Sequence, residues 1–239
     1  MKYAIHSGKL GDVIYSLPAL AHIQGKLLLN WEVRRSEESP LSFQQAQQLA
    51  ELAEAAGYRA AVWDGRQPFD VDLDEFRKAA AADLTRHLVD CHWVVVSSQP
   101  SPHGPWLRLE PRRLAPIIIN RTQRYAYNPD FAWGLLRGHN CVFVGMRDEW
   151  RAFCRDFFPV AYYPTATLLE LARIINGAEL FLGNQSFAFA IAEGLDLRRR
   201  LEVRPAHPCN DPRTHRGRTF LTQADFACIC ENLATLRMA

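Results

Sequence analysis

Residues 3–25 read Tyr3-Ala4-Ile5-His6-Ser7-Gly8-Lys9-Leu10-Gly11-Asp12-Val13-Ile14-Tyr15-Ser16-Leu17-Pro18-Ala19-Leu20-Ala21-His22-Ile23-Gln24-Gly25. Tyr3–His6 is short and apolar, as a buried strand is. Ser7 to Asp12 carries two glycines and reads as a turn. Val13 to Ile23 reads as a helix, with Pro18 shaping its course and Gly25 ending it. Lys26–Val33 reads as a second strand. Strand, glycine turn, helix and strand together make a parallel βαβ unit.

The rhythm continues outward from that unit. Phe43–Ala56 reads as a helix closed by Gly57, and Ala60–Trp63 as a strand followed by an Asp64-Gly65 turn. Asp74–Leu88 reads as an Ala-rich helix, and Trp93–Ser97 as a strand of β-branched residues. Gln99–Arg113 then breaks the pattern with Pro100, Pro102, Pro105 and Pro111, which marks an interdomain crossing. A second run follows. Its strands are Pro116–Asn120, Cys141–Val144, Glu179–Leu182 and Leu201–Val203. Its helices are Asp148–Phe157, Leu168–Asn176 and Ser186–Gly194, and Thr222–Leu236 reads as a C-terminal helix. The expected fold is α/β, with two facing Rossmann-like lobes over 1–113 and 114–221 and a helix within 222–239. Ligand is expected in the cleft beyond the carboxyl ends of the strands.

Composition bounds the function. The chain has 239 residues, 48% hydrophobic and 23% charged, which excludes disorder over most of its length. No apolar run approaches the roughly 18 residues of a membrane span. The N-terminus lacks a secretory pattern, so a cytoplasmic protein is expected. With 28 basic and 26 acidic residues the net charge is +2, without the basic excess of a dedicated nucleic-acid binder. Lysine occurs only at 2, 9, 26 and 78, and the other basic residues are arginine, whose planar fork suits phosphate and carboxylate. The six cysteines include no CxxC pair and read as buried thiols. His207, Cys209 and His215 lack the paired spacing of a zinc site, so no metal is expected.

Two turns carry the chemistry. In Ser7–Asp12, Gly8 and Gly11 let backbone approach a ligand, and the helix that follows offers N–H groups to negative charge. The spacing is neither GxxxxGK[ST] nor GxGxxG. Asp12 either stabilises the helix start or serves as a general base facing the cleft. Lys9 is either a phosphate partner or a solvated loop charge. Phe181-Leu182-Gly183-Asn184-Gln185-Ser186 repeats the strand-to-helix turn. Asn184 or Ser186 caps the next helix, or the amides there hold a pyrophosphate. Glu193 ends the apolar run of that helix, either solvated or reaching a ligand hydroxyl. In Asn120–Tyr125, Arg121 and Arg124 could neutralise a diphosphate and Thr122 could donate a hydrogen bond, or the segment is an ordinary loop.

The stretch His6–Leu20 resembles the N-terminal GD(V/I)xxxxPAL signature of the heptosyltransferases, glycosyltransferase family nine. Leu168–Leu195, with Gly177-Ala178-Glu179-Leu180-Phe181-Leu182-Gly183-Asn184-Gln185-Ser186 and Ala190-Ile191-Ala192-Glu193-Gly194-Leu195, resembles the family's donor-binding segment. A weaker likeness covers Asn120–Tyr125. The resemblance implies the GT-B fold, here with a reduced N-terminal lobe. It implies transfer of a sugar from a nucleotide-sugar to an acceptor hydroxyl, with inversion and without metal or other cofactor. Asp12 then matches the family's catalytic base. Gly8, Lys9, Gly11, Arg121, Thr122, Arg124, Asn184, Gln185, Ser186 and Glu193 would serve the donor. The family segment usually reads G-x-D-(S/T)-G-P-x-H. Here Gln185 stands in place of Asp, Phe187-Ala188 in place of Gly-Pro, and Ala190 in place of His. Asp148-Glu149 lies near the family's nucleoside region and stays outside the expected site. The acceptor would be a glycan, a lipid-linked saccharide, DNA or a protein. The alternative is a degenerate domain that binds a nucleotide-sugar without turnover.

Overall fold

The computed structural model describes residues 1–31, 41–99, 101–126, 133–202, 209 and 211–220. Two parallel sheets organise them. The first holds β1 (Tyr3–His6), β2 (Lys26–Leu29), β3 (Arg59–Val62) and β4 (Val71–Asp72), in the order β3-β2-β1-β4. The second holds β5 (Ile117–Asn120), β6 (Cys141–Val144), β7 (Ala161–Tyr163), β8 (Leu180–Asn184), β9 (Arg199–Glu202) and β10 (Gly217–Phe220), in the order β10-β9-β8-β5-β6-β7. Counted within its own lobe, the second sheet runs 6-5-4-1-2-3, the doubly wound Rossmann order. The first runs 3-2-1-4, the same order cut short. The strand order reverses between β1 and β4 in one lobe and between β5 and β8 in the other. Open α/β sheets bind ligands at such points, beyond the carboxyl ends of the strands.

The helices are α1 (Leu10–His22), α2 (Phe43–Ala55), α3 (Phe76–Ala82), α4 (Leu88–Trp93), α5 (Arg147–Asp156), α6 (Leu168–Asn176) and α7 (Phe187–Gly194). The lobes meet through helices: α1 packs on α7 and α2 on α6. Their apolar faces form one buried cluster that includes Ile14, Leu17, Leu49 and Leu52 from the first lobe and Ile174, Ile175, Phe189 and Ile191 from the second. A separate cluster of Trp133, Phe143, Phe153 and Phe158 covers the other face of the second sheet.

Pro18 lies inside α1. Having no N–H, it cannot bond the carbonyl of Ile14 one turn earlier. The indole of Trp106 takes that place, with Nε1–H donating to Ile14 O at 3.1 Å. Trp106 belongs to the crossing between the sheets, and its own backbone N–H and that of Leu107 bond Gly194 O at the end of α7, both at 2.8 Å. A Cβ on Gly194 would lie 2.8 Å from Leu107 Cδ1, so only glycine lets the crossing lie this close. The kink-prone helix and the interlobe segment thus satisfy one another.

Several expected elements differ. Trp93–Ser97 is not a strand: α4 runs through Trp93 and a turn follows. The position beside β1 is already filled by β4, so the valines have no sheet to join and tertiary context overrides their β preference. The His87 ring caps α4, its Nδ1 accepting from Val89 N at 3.1 Å. The helix expected over Asp74–Leu88 breaks at Asp83, whose carboxylate accepts from Thr85 N and Oγ1 at 3.0 and 2.7 Å. Such a local side-chain turn competes with helix. The first helix starts earlier, at Leu10, and β2 ends at Leu29. Strands β4, β7 and β10 are additional. The helix expected over Thr222–Leu236, with Cys228 and Cys230, and the residues His207 and Asn210 lie outside the described residues. No described helix is long and apolar enough to cross a membrane.

Candidate functional site

The first turn is held from three sides. His6, at the end of β1, is fully buried. Its Nδ1 accepts from Gly8 N at 2.8 Å, so its proton sits on Nε2. That nitrogen meets Nε2 of the buried His92 at 3.0 Å, and His92 Nδ1 donates to Leu88 O at 2.8 Å. The chain of bonds fixes both tautomers and keeps both rings neutral. Burial lowers the pKa of His6 to about 4, against an opposing pull from Asp74. Burial also drives that of His92 well below its ordinary value. A Cβ on Gly8 would fall 2.4 Å from the His6 ring, so the turn requires glycine there.

Asp74 clamps the other side. It accepts from Ser7 N at 3.1 Å on both oxygens, from Ser7 Oγ at 2.5 Å and from Arg77 Nη1 at 2.8 Å. Burial pushes its carboxyl upward, but the electrostatic pull of the nearby His6 ring and the Ser7 and Arg77 hydrogen bonds outweigh it and hold the group below the ordinary range. This clamp fills the reversal point between β1 and β4. Beyond it, Asp12 Oδ2 accepts from Lys9 N at 3.3 Å in the first turn of α1. The Asp12 side chain keeps 21% of its surface exposed, and Arg77 Nη2 stands 4.0 Å from its carboxylate. Asp12 therefore caps the helix and still faces solvent.

The second turn abuts the first. A Cβ placed on Gly11 would stand 3.9 Å from Phe187 Cα and 3.9 Å from Ala190 Cβ. The N-termini of α1 and α7 thus approach each other across the lobes, and two sets of helix-start N–H groups lie close together. The residues around them are tightly engaged. Asn184 is buried, and its amide accepts from Thr122 N at 2.9 Å and donates to Thr122 O at 2.7 Å. Ser186 Oγ caps α7 through Phe189 N and donates to Asn120 Oδ1 at 2.8 Å. Gln185 is buried. Arg121 forms a forked pair with Glu202, at 2.7 and 2.9 Å, and its guanidinium lies over the Phe157 ring. Glu193 pairs with the fully buried Arg199 at 2.5 Å and accepts from Arg213 N at 2.9 Å. Arg124 is exposed and stacks on Tyr125.

A cavity of about 410 Å³ opens beyond β5 and β6, lined by Arg121, Gln123, Glu149, Phe153 and Arg155 among others. Glu149, half-buried in the first turn of α5, has its carboxyl raised by burial, opposed by the N–H of Met146. Glu149 lies outside the site expected from sequence. The signal that could have found it is the repeated pattern of strand, glycine and first-turn acid, here Val144-Gly145 and Glu149. Among the described residues no group of three or more His, Cys, Asp or Glu side chains is arranged to hold a metal ion.

No protein-family model and no curated protein sequence matches the chain. Its fold does match solved structures. Escherichia coli heptosyltransferase WaaC with ADP superposes with a TM-score of 0.67 at 14% identity, over 96% of this chain and 98% of that one. The same enzyme with ADP-2-deoxy-2-fluoro heptose gives 0.66 over the same shares, again at 14% identity. A glycosyl transferase family 9 protein from Veillonella parvula gives 0.59 at 12% identity, over 98% of this chain and 89% of that one. The chain therefore has the GT-B architecture of two Rossmann-like lobes.

Proposed function

We propose that this protein is a glycosyltransferase that moves a sugar from a nucleoside diphosphate donor to an acceptor hydroxyl. The observation that carries the reading is the meeting of the two turns: the Asp12 carboxylate stands at the start of α1, and the start of α1 touches the start of α7. The structures it resembles bear ADP and an ADP-sugar in their names, and the motif resemblance points the same way. In this reading residues 114–221 carry the donor and residues 1–113 the acceptor and the base. The nucleoside end of the donor occupies the cavity beside Glu149, and the diphosphate lies toward the α7 start.

The chemistry follows from that placement. Asp12 takes the proton of the acceptor hydroxyl. The acceptor oxygen attacks the anomeric carbon from the face opposite the diphosphate, and the bond from that carbon to the diphosphate oxygen breaks with its electron pair. Attack and departure on opposite faces invert the anomeric centre. The charge that develops on the diphosphate is met by helix-start N–H groups, which are already oriented and need no reorganisation. As the resemblance implies, this leaves no step to a metal ion. Arg124 and Lys9 add positive charge at the rim. Thr122 and Asn184 act by holding the loop after β5 against β8, and Arg121 by holding it against β9.

Asp12→Ala tests the base. Its kcat is expected to fall by about 10²–10⁴-fold, the usual worth of a general base, with ADP affinity in a thermal-shift titration unchanged. Turnover equal to the parent protein's removes Asp12 from that role. A second reading, donor binding without turnover, is favoured by one observation: Arg121, Asn184 and Glu193 are already satisfied by protein groups. Nucleotide binding together with no sugar transfer to any acceptor would select it.

A further inference from the structure

A larger cavity, of about 790 Å³, lies between α4 and the Asp211–Arg213 segment of the second lobe. Its size falls within the roughly 300–1,000 Å³ of small-molecule sites. One wall is α4 and its approach, with Arg86, His87, Asp90 and Trp93. The other is the Asp211–Arg213 segment of the second lobe. It is close to the reaction centre, because the His87 ring packs edge-on against Tyr15 at 5.4 Å between centroids, and Tyr15 is one helical turn along α1 from Asp12.

His87 supplies the first sign of a ligand. Its side chain lines the cavity, is nine-tenths buried, and has no hydrogen-bond partner for Nε2 among the described residues. Because Nδ1 accepts from Val89 N, the proton is on Nε2. Burial, reinforced by Arg213 and Arg199, lowers the ring's pKa to about 3, so it remains a neutral donor. Leaving a buried donor unmet is costly, and an incoming oxygen atom recovers that cost.

The charges say what kind of oxygen. Arg213 spends its guanidinium on Asp90 at 3.0 Å, Ser101 Oγ at 2.6 Å and Pro102 O at 3.3 Å. Arg86 stands 3.8 Å from Asp83. Each of the two arginines is thus answered by an aspartate, and no unopposed positive charge remains for a phosphate or carboxylate. Asp211, exposed at the rim, is left to accept from hydroxyl groups. Trp93 adds an apolar ring, anchored by Nε1–H to Gln99 O at 2.7 Å. A polar wall without free positive charge, an unmet donor and one aromatic ring suit a polyhydroxyl molecule with an apolar face.

We propose that this cavity is the acceptor site and takes an uncharged saccharide, with His87 Nε2–H donating to one of its oxygens. Its role as acceptor site rests on the transferase reading, whereas its occupancy by a neutral sugar does not. Saturation-transfer NMR on the full chain tests it, with maltose, lactose, cellobiose and chitobiose as neutral probes and 3′-sialyllactose and glucose 1-phosphate as charged ones. The neutral probes are expected to receive saturation and the charged ones not. His87→Asn keeps a helix-capping oxygen but removes the Nε2 donor, and it should weaken the best neutral probe about tenfold, equivalent to about 1.4 kcal/mol. Asp211→Ala, at an exposed position on the rim, should weaken the same probe without changing the fold. ADP affinity should stay at the parent value in both. Neutral probes bound equally by both variants, no saturation in any neutral probe, or preference for the charged probes would each overturn the proposal. If ADP binds while the neutral sugars do not, the cavity assignment fails and the transferase reading stands. If the sugars bind as expected while no nucleotide does, the site stands and the transferase reading fails.

Discussion

At the scale of single residues, histidine burial sets the behaviour in acid. His6 is held neutral down to about pH 4 and His87 down to about pH 3, against 6.5 for the free side chain. His92 is shifted in the same direction. Between those values and 6.5 the unfolded chain binds protons that the folded chain refuses. Stability is therefore intact above pH 6.5 and declines as pH falls toward 4. His6 alone accounts for about 3 kcal/mol across that range, at 1.36 kcal/mol per pKa unit. Asp74, lowered in the fold, contributes stability that is present above its unfolded value and is lost as pH falls through its folded one. Urea titrations at steps from pH 7.5 to 4 should show the midpoint falling steadily below 6.5. A flat midpoint would mean that the three rings are solvated. Trp106→Phe gives a second expectation. It leaves Ile14 O without a donor beside Pro18, and should cost about 1–3 kcal/mol in denaturant stability. The chemistry of this scale was only half legible in sequence. The glycines of the turn announced it, but Asp74 and His92 reach Ser7 and His6 from 67 and 86 residues away, and no local pattern foretells such a partner.

At the scale of elements, legibility follows the strength of the period. Leu168–Asn176 and Cys141–Val144 form a helix and a strand over the expected bounds, because each is apolar on the faces it buries and is bounded by a cap or glycine. Thr167 accepts from Glu170 N at 3.0 Å, and Gly145 follows β6 at φ +128. Strands β4, β7 and β10 could not be read. β4 has two residues, β7 carries two tyrosines that suit many contexts, and β10 mixes Gly217 with Arg218. Their neighbours' free edges make them strands. The valines after Trp93 fail in the opposite sense, being apt for a sheet that offers no place. Ser42 shows what an element-level cap is worth. Its Oγ accepts from Gln45 N at 3.1 Å while Gln45 returns a bond to Ser42 N at 2.9 Å. Ser42→Ala should cost about 0.5–2 kcal/mol, measured as a lower urea midpoint with an unchanged slope. No change would mean that α2 is held by its packing on α6 alone.

At the scale of the molecule, two sheets with their own strand orders share one buried apolar cluster, through α1 with α7 and α2 with α6. A sequence that alternates strand and helix in two runs predicts the two sheets. It does not predict that the helices between them fuse, since that depends on which faces meet. Fusion carries a thermodynamic expectation. Heat should unfold the chain in one transition, with tryptophan fluorescence and far-ultraviolet circular dichroism superposing. Two separated transitions would show that the lobes melt independently.

The same shared cluster has a consequence for descent. Where two lobes are joined only by a tether, either can be exchanged or drift alone. Here α1 is moulded against a partner encoded 179 residues later, closely enough that a methyl group on Gly11 would touch Ala190. A methyl group at 11 would sit in ordinary contact, 3.9 Å from Ala190 Cβ, so enlargement beyond alanine at either position must be answered at the other. Kin of this chain should therefore show paired changes at 11 and 190, and a chimaera that splices the first lobe of one to the second of another should need its seam of helices repaired before it inherits the activity of either parent.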